Sequence, residues 1–116
     1  MAIQVAATRT AMAAYYATQA PWMAIFSTVP SGGTPGTELS GGAPAYARKA
    51  SNWGTATNSA VVATPVAHDI PAGATAAGIG FYSASTAGTF IDGAAVTSQT
   101  FASQGTLAVT ATFTQA

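Results

Sequence analysis

Short apolar stretches separated by turn residues constrain the fold of this chain more than any other feature. After residue 20 the sequence alternates between segments of β-forming residues and clusters of Gly, Pro, Asn or Ser. The segments are 22–28, 46–53, 60–63, 66–70, 76–83, 89–91, 95–101 and 107–113. Such spacing is typical of antiparallel sandwiches or barrels and not of alternating β-α-β units. We therefore predict a mainly β domain, an antiparallel β-sandwich or jelly-roll-like fold.

The last of these segments has the clearest pattern. Large or apolar residues alternate with alanine and threonine along it, which is the period of a strand with one buried face. The apolar set is Leu107, Val109, Ala111 and Phe113. We expect the opposite face to meet water or a partner.

The N-terminal segment has a different period. Residues 5–18 are rich in alanine, and Val5, Met12 and Tyr16 fall near one side of a 3.6-residue repeat. We predict a short amphipathic helix that ends before Pro21 and docks by that side, either on its own domain or on a neighbouring subunit. At 116 residues the chain is read as one domain, with a helical arm over 1–19 and the sandwich over 20–116.

Charge is nearly absent from the chain. Charged residues make up 5% of it, and the formal net charge is zero. Soluble monomers rely on interspersed surface charge, so we expect much of this surface to be covered by other protein. The three cations, Arg9, Arg48 and Lys49, are too few for a nucleic-acid partner or an anionic membrane surface. Polar residues interrupt the uncharged segment 11–29, so we predict no membrane span there.

Few residues could carry catalysis. His68 and Asp69 are neighbours on a predicted strand, so their side chains point to opposite faces and would form a polar pair at the strand end. The other carboxylates, Glu38 and Asp92, lie far away in the sequence, and there is no cysteine. We predict no catalytic residues, no cofactor and no metal. A small cell-wall hydrolase, the enzymatic alternative, would have to use these four side chains.

The segment Gly78-Ile79-Gly80 matches part of a dinucleotide-binding loop. It lacks the final glycine of that motif and lies inside an apolar run rather than between a strand and a helix. We interpret these glycines as positions where a strand packs closely against another backbone.

Five residues are candidates for contacts with other proteins. Arg48 and Lys49 follow a long loop of Gly, Pro and Ser, and they form either an exposed strand pair or a salt bridge with Glu38 or with a neighbouring subunit. Trp22 and Trp53 are predicted core or interface anchors, with a sugar-stacking platform as the alternative.

The order of several motifs resembles a family of small proteins encoded among phage structural genes. The motifs are an acidic residue before a Ser-Gly-Gly turn in 34–42, a Tyr-Ala-Arg strand in 45–49, then Trp53, an aromatic-rich strand at 81–85 and a Gly-Thr-Phe strand start in 87–90. The resemblance spans residues 22–107. The sequence departs from the family pattern at Ala43-Pro44, an insertion that affects the local loop geometry.

Members of this family are described as minor capsid or tail-fibre-like proteins of tailed phages and have no catalytic residues. The resemblance implies a virion structural protein. We expect a minor capsid or decoration protein that binds the outside of the head, contacts the major capsid protein, and forms a homo-oligomer, with a trimer as the expected form. A tail-fibre or tail-tip component that acts in host adsorption is the alternative.

Overall fold

The computed structural model describes residues 2–115, so Met1 and Ala116, the two ends of the predicted domain, lie outside the described residues. The described residues fold into one helix and eight strands. They are α1 (Ala6–Gln19), β1 (Trp22–Phe26), β2 (Lys49–Ala50), β3 (Ala60–Val62), β4 (Val66–Ile70), β5 (Thr75–Tyr82), β6 (Phe90–Thr100), β7 (Gly105–Val109) and β8 (Thr112–Thr114). The prediction of a mainly β, sandwich-like antiparallel fold with one N-terminal helix is confirmed.

The strands form one larger sheet and one long ribbon. The sheet has the order β2-β1-β5-β6, and all of its pairs are antiparallel. Opposite it, β3 pairs with β8 and β4 with β7. The amide of Ala63 donates to the carbonyl of Ala111 at 2.8 Å between these two pairs, so they make a continuous ribbon.

The ribbon joins the sheet on one side only. Trp53, just after β2, forms a bridge with Ala63, and the Gly54 amide donates to the Val62 carbonyl at 2.9 Å. On the other side, within residues 2–115, β6 pairs only with β5 and β7 only with β4. The two layers of the sandwich-like fold are therefore joined along one side only. We call the gap between β6 and the β7–β8 segment the seam.

The main core fills the space between the sheet and the ribbon. Alternate residues of β1 and β5 supply one wall, and alternate residues of the ribbon supply the other, as expected when one face of each strand is buried. These residues are Met23, Ile25, Ile79, Phe81, Val66, Ile70, Val109 and Ala111. In the last segment Val109 and Ala111 are buried while the alternate threonines are exposed, which confirms the predicted alternation.

A second cluster covers the outer face of the sheet. Phe26, Tyr82 and Phe90 pack there with ring centroids 5.6 to 6.3 Å apart, and we call them the outer aromatic cluster. Gly80 lies directly beneath the rings of Phe26 and Phe90, and Gly78 lies against Pro30. The glycines of the Gly78-Ile79-Gly80 segment thus lie within β5, where they allow close packing, mostly against side chains.

Gly80→Ala is expected to lower the free energy of unfolding by about 2 kcal/mol, because the added methyl group would overlap the buried Phe26 ring. Gly54→Ala is the matched control, since its methyl group meets only one carbonyl oxygen at 3.2 Å. Urea denaturation of both variants measures the difference. Equal stability of Gly80→Ala and the parent would contradict this packing.

The helix docks through only part of the side predicted: Tyr16 packs against the domain as expected, whereas Val5 and Met12 do not. Ala13 is fully buried and Tyr16 is half-buried, whereas Val5 and Met12 are 59% and 44% exposed. Val5 precedes the helix, and the side that docks is marked by alanine. A small side chain lets a helix approach closely, so a search for large apolar residues finds Tyr16 but misses Ala13. The helix packs on its own domain, mainly against β3.

Three predicted strand boundaries were wrong. Segments 89–91 and 95–101 form the single strand β6, because Asp92 and Gly93 continue the ladder opposite Phe81 and Gly80. Segment 107–113 is instead divided between β7 and β8. Segment 46–53 forms a strand only at Lys49–Ala50.

Candidate functional site

All six charged side chains of the chain lie within the described residues, and each is engaged by another part of the same chain. Arg48 binds Glu38, Lys49 lies 3.5 Å from Asp69, and the Tyr16 hydroxyl donates to Asp92 at 2.8 Å. Arg9 donates from Nε to the Ser59 hydroxyl at 2.9 Å and from Nη1 to two backbone carbonyls. The remaining surface is therefore made almost entirely of neutral side chains.

Strand β1 positions Glu38 and Arg48, the charged pair with the most hydrogen bonds. Its second half pairs with the end of the long loop, where the Leu39 amide donates to the Ile25 carbonyl at 3.1 Å and Phe26 bridges Glu38. Its first half pairs with β2, directly after Arg48. Two segments ten residues apart in sequence are thus aligned on one edge of β1, and their side chains meet.

Glu38, Tyr46, Arg48 and Tyr82 form what we call the arginine cluster. Nε and Nη2 of Arg48 each donate to one oxygen of Glu38 at 2.9 Å, which is a bidentate pair. Nη1 donates to the carbonyls of Ala84 and Ala87 at 3.1 and 2.7 Å. The guanidinium carbon lies 3.6 Å from the centre of the Tyr82 ring, within the range of a cation–π contact.

Tyr46 completes the cluster by bridging side chain and backbone. Its hydroxyl donates to Glu38 at 2.8 Å and accepts from the Ile25 amide at 3.0 Å. Burial alone would raise the pKa of the Glu38 carboxyl, but the hydrogen bonds from Arg48 and Tyr46 outweigh it and hold that pKa below its usual value. Burial and the neighbouring carboxylate raise the pKa of the Tyr46 phenol.

A cleft of about 310 Å³ lies beside the arginine cluster. Its walls include Ser40, Ala47 and Thr86 together with Glu38 and Arg48. Because the guanidinium already holds a carboxylate, two carbonyls and a ring, the cluster joins the long loop, β2 and the turn after β5. Its geometry is that of a structural clamp.

His68 lies deeper than its sequence suggested. It is fully buried in the middle of β4, on the core side between Val66 and Ile70, and not in a polar pair at the strand end. The alternation of Val66, His68 and Ile70 is the sequence signal for this placement. Neither ring nitrogen has a hydrogen-bond partner within residues 2–115. Burial, aided by the charge of Lys49 and partly offset by Asp69, lowers the pKa of His68 to about 4.

Tyr16 joins the helix to both sides of the seam. Its ring stacks on Phe113 of β8 with centroids 3.8 Å apart, and its hydroxyl reaches Asp92 of β6. The Trp53 and Phe81 rings make T-shaped contacts with it, with ring centroids 5.9 and 6.3 Å away. Burial and the Asp92 carboxylate raise the pKa of the Tyr16 phenol.

Tyr16→Ala is expected to lower the free energy of unfolding by about 3 kcal/mol, because it removes a half-buried ring with three aromatic contacts. Undocking of α1 should also speed tryptic cleavage after Arg9, which lies in that helix. Tyr15→Ala is the matched control, since Tyr15 is 61% exposed and should cost about 0.5 kcal/mol or less. Equal cleavage rates in the two variants would show that Tyr16 does not hold the helix.

The five predicted interface residues all take part in contacts within the chain. Glu38 and Arg48 pair with each other, which is one of the arrangements expected for the basic pair. Lys49 pairs with Asp69, a partner that was not expected. Trp53 borders the core and donates its indole N–H to the Ala20 carbonyl at 2.8 Å. Trp22 packs beside the outer aromatic cluster. Their contacts with other proteins stay a prediction.

The acid and base candidates are not assembled into one catalytic arrangement. Glu38 belongs to the arginine cluster, Asp69 pairs with Lys49, Asp92 accepts from Tyr16, and His68 is buried. Residues 2–115 contain no group of three potential ligands among His, Cys, Asp and Glu that could hold a metal ion.

Sequence reasoning missed the roles of Tyr16, Tyr46 and Tyr82, because each depends on contacts between segments far apart in the chain. In the same range, no helix is long and apolar enough to cross a membrane.

The chain was compared with protein-family models, with curated proteins and with solved structures, and none of the three comparisons found a match.

Proposed function

We propose that this protein is a structural component of a bacteriophage virion, a minor capsid or decoration protein that stabilises the head through protein contacts. The observation that carries the proposal is that all six charged side chains are held by partners within the chain. The rest of the described surface is neutral, and depletion of charge is typical of surfaces that contact other proteins. The motif order at 34–53 and 81–90 supports the phage assignment.

The hydrolase alternative gains no support from the side chains it would need. A general acid must be within reach of a substrate, and His68 is fully buried. The carboxylate of Glu38 is held by Arg48 and Tyr46. The protein would then act by binding, as a homo-oligomer that contacts the major capsid protein on the outside of the head.

Binding to heads made without this protein tests the proposal. Purified protein is mixed with such heads and, separately, with isolated tails, and each mixture is sedimented. We expect saturable binding to heads at a fixed copy number and a higher temperature of head disruption. Failure to bind either particle would overturn the proposal.

One observation favours the tail component as the second candidate. A shallow, mainly apolar groove of about 560 Å³ runs between α1 and residues 50–56, with Trp53 on its wall beside Ala17 and Asn52. An aromatic ring beside an amide is a common platform for a sugar ring. Binding to host-envelope polysaccharide that is abolished by Thr55→Trp, which fills the groove, would favour adsorption over head decoration.

A further inference from the structure

The strands from β3 to β8 belong to one long hairpin that is folded over itself. Residues 60–82 run antiparallel to residues 90–114 through the pairs β3–β8, β4–β7 and β5–β6. The hairpin bends at residues 71–74 and 101–104, where the Phe101 amide donates to the Ala74 carbonyl at 2.9 Å. This bend lays the β4–β7 pair over the sheet, with the main core between them. We call residues 66–70 and 105–109 the β4–β7 arm.

The β4–β7 arm has less backbone support than the sheet. β1 and β5 each have a strand on both sides, whereas β4 and β7, among residues 2–115, pair only with each other. A two-stranded pair is marginal by itself and depends on the apolar face that it covers. Beside β4, the ion pair of Lys49 with Asp69 is partly exposed and contributes little. Segments of this kind open more readily than the rest of a fold.

The middle of the β4–β7 arm carries a buried polar ring. His68 is fully buried on the core side of β4, between Val66 and Ile70 and opposite Leu107 of β7. Neither ring nitrogen has a hydrogen-bond partner within the described part of the chain. The neutral ring forgoes hydrogen bonds that water would supply, and a charged ring would lose far more. Protonation therefore favours any arrangement in which the ring reaches water.

The surrounding charges do not offset a proton on His68. Lys49 of β2 is itself a cation, and Asp69, the next residue of β4, is already paired with Lys49. β1 and β7 have no titratable side chain. The other titratable residues of the packed elements lie elsewhere: Tyr16 and Asp92 at the seam, Tyr46 and Glu38 in the arginine cluster, and Tyr82 on the outer face of the sheet.

We propose that the β4–β7 arm is an acid-sensitive flap, in which uptake of a proton by His68 lifts the arm from the core while the sheet stays folded. The two strands move together, because they are joined by their own ladder. The bend and the bridge between Trp53 and Ala63 hold the two ends, so the arm lifts in its middle, where His68 lies. This inference goes beyond the proposed function, since it concerns the purified chain and requires no virion.

The pH dependence of the opening follows from the two states of His68. Its pKa is about 4 in the closed arm, because of burial and the charge of Lys49, and about 6.5 in water. Between these values only the open arm takes up the proton. The equilibrium constant for opening should therefore rise about twentyfold from pH 7 to pH 5 and level off below about pH 4.

Amide hydrogen exchange of the purified protein, followed by NMR at pH 7 and pH 5 with and without low urea, tests the flap. Each rate is divided by the intrinsic rate of that amide at the same pH. We expect the amides of the β4–β7 arm to be at least about tenfold less protected than those of β1 and β5, and to lose protection about twentyfold on acidification. Complete unfolding also exposes His68, but it responds strongly to urea, whereas lifting of the arm should respond little.

Two variants remove the titratable ring, His68→Leu and His68→Gln. Both should give the arm the same protection at pH 7 and pH 5, and the use of two replacements makes the result independent of how either one packs. Asp69→Asn is the matched control, because it changes the neighbouring residue and keeps the imidazole. Its arm should still lose protection in acid.

Each result decides for or against the flap. An opening of the arm that responds little to urea, increases in acid and loses its acid response in both His68 variants supports it. Equal protection of the arm and the sheet overturns it, since the arm then opens only with the whole fold. A local opening that does not change with pH overturns it, as does an acid response that persists in both His68 variants.

Discussion

We expect Arg48→Met to lower the free energy of unfolding by about 3 kcal/mol, and Lys49→Met to lower it by less than about 1 kcal/mol. The two residues are neighbours, both are paired with a carboxylate, and both substitutions retain the aliphatic part of the side chain. The difference lies in burial, because the Arg48 side chain is 9% exposed and that of Lys49 is 39% exposed. Removing one member of a largely buried pair leaves the other charge without its partner, whereas exposed pairs contribute little.

Geometry adds to that difference. Arg48 makes two bonds to Glu38 and two to backbone carbonyls, and it lies over the Tyr82 ring. Lysine has no planar fork, so Arg48→Lys should recover only part of the loss. Urea denaturation of the three variants at neutral pH measures these effects. Equal destabilisation by Arg48→Met and Lys49→Met would contradict the clamp role of the arginine cluster.

Acidification from pH 6.5 to pH 4 should remove about 3 kcal/mol of stability through His68 alone. The pKa of His68 is about 4 in the folded protein and about 6.5 in the unfolded chain, so between these values only the unfolded chain takes up the proton. Stability from the neutral imidazole is complete above pH 6.5, falls as the pH is lowered, and falls no further below about pH 4. The lowered pKa of Glu38 acts in a different window, below its ordinary value of 4.5.

His68→Leu should remove this pH dependence. It should also preserve or raise stability at pH 7, because it replaces two buried ring nitrogens that have no partner in residues 2–115 with an apolar side chain. Asp69→Asn is the matched control, since it changes the neighbouring titratable residue and leaves the imidazole in place. Free energies of unfolding measured from pH 7 to pH 4 distinguish the His68→Leu variant from the Asp69→Asn variant. A slope that persists in His68→Leu would assign the effect to other groups.

Local sequence pattern predicted most of the strands but not the contacts between them. The alternation in Val66–Ile70 and in residues 107–113 depends on which face of a strand is buried, and this can be read from neighbours in sequence. Glu38 was only one of several possible partners for Arg48. Which partner Arg48 binds depends on how β1 aligns two segments that are distant in sequence. The docking face of α1 was predicted only in part. Tyr16 docks as expected, whereas Val5 and Met12 are exposed, and the buried Ala13 was selected by a close approach that the helical period does not reveal.

Cryo-electron microscopy of purified virions of the proposed parent phage, with mass spectrometry of the same particles, tests the head-decoration proposal. We expect peptides of this protein in the virion, and density of its fold repeated on the outside of the head at local threefold or sixfold positions. Density confined to the tail would contradict head decoration and leave the adsorption alternative. Absence of both peptides and density would contradict the assignment to the virion.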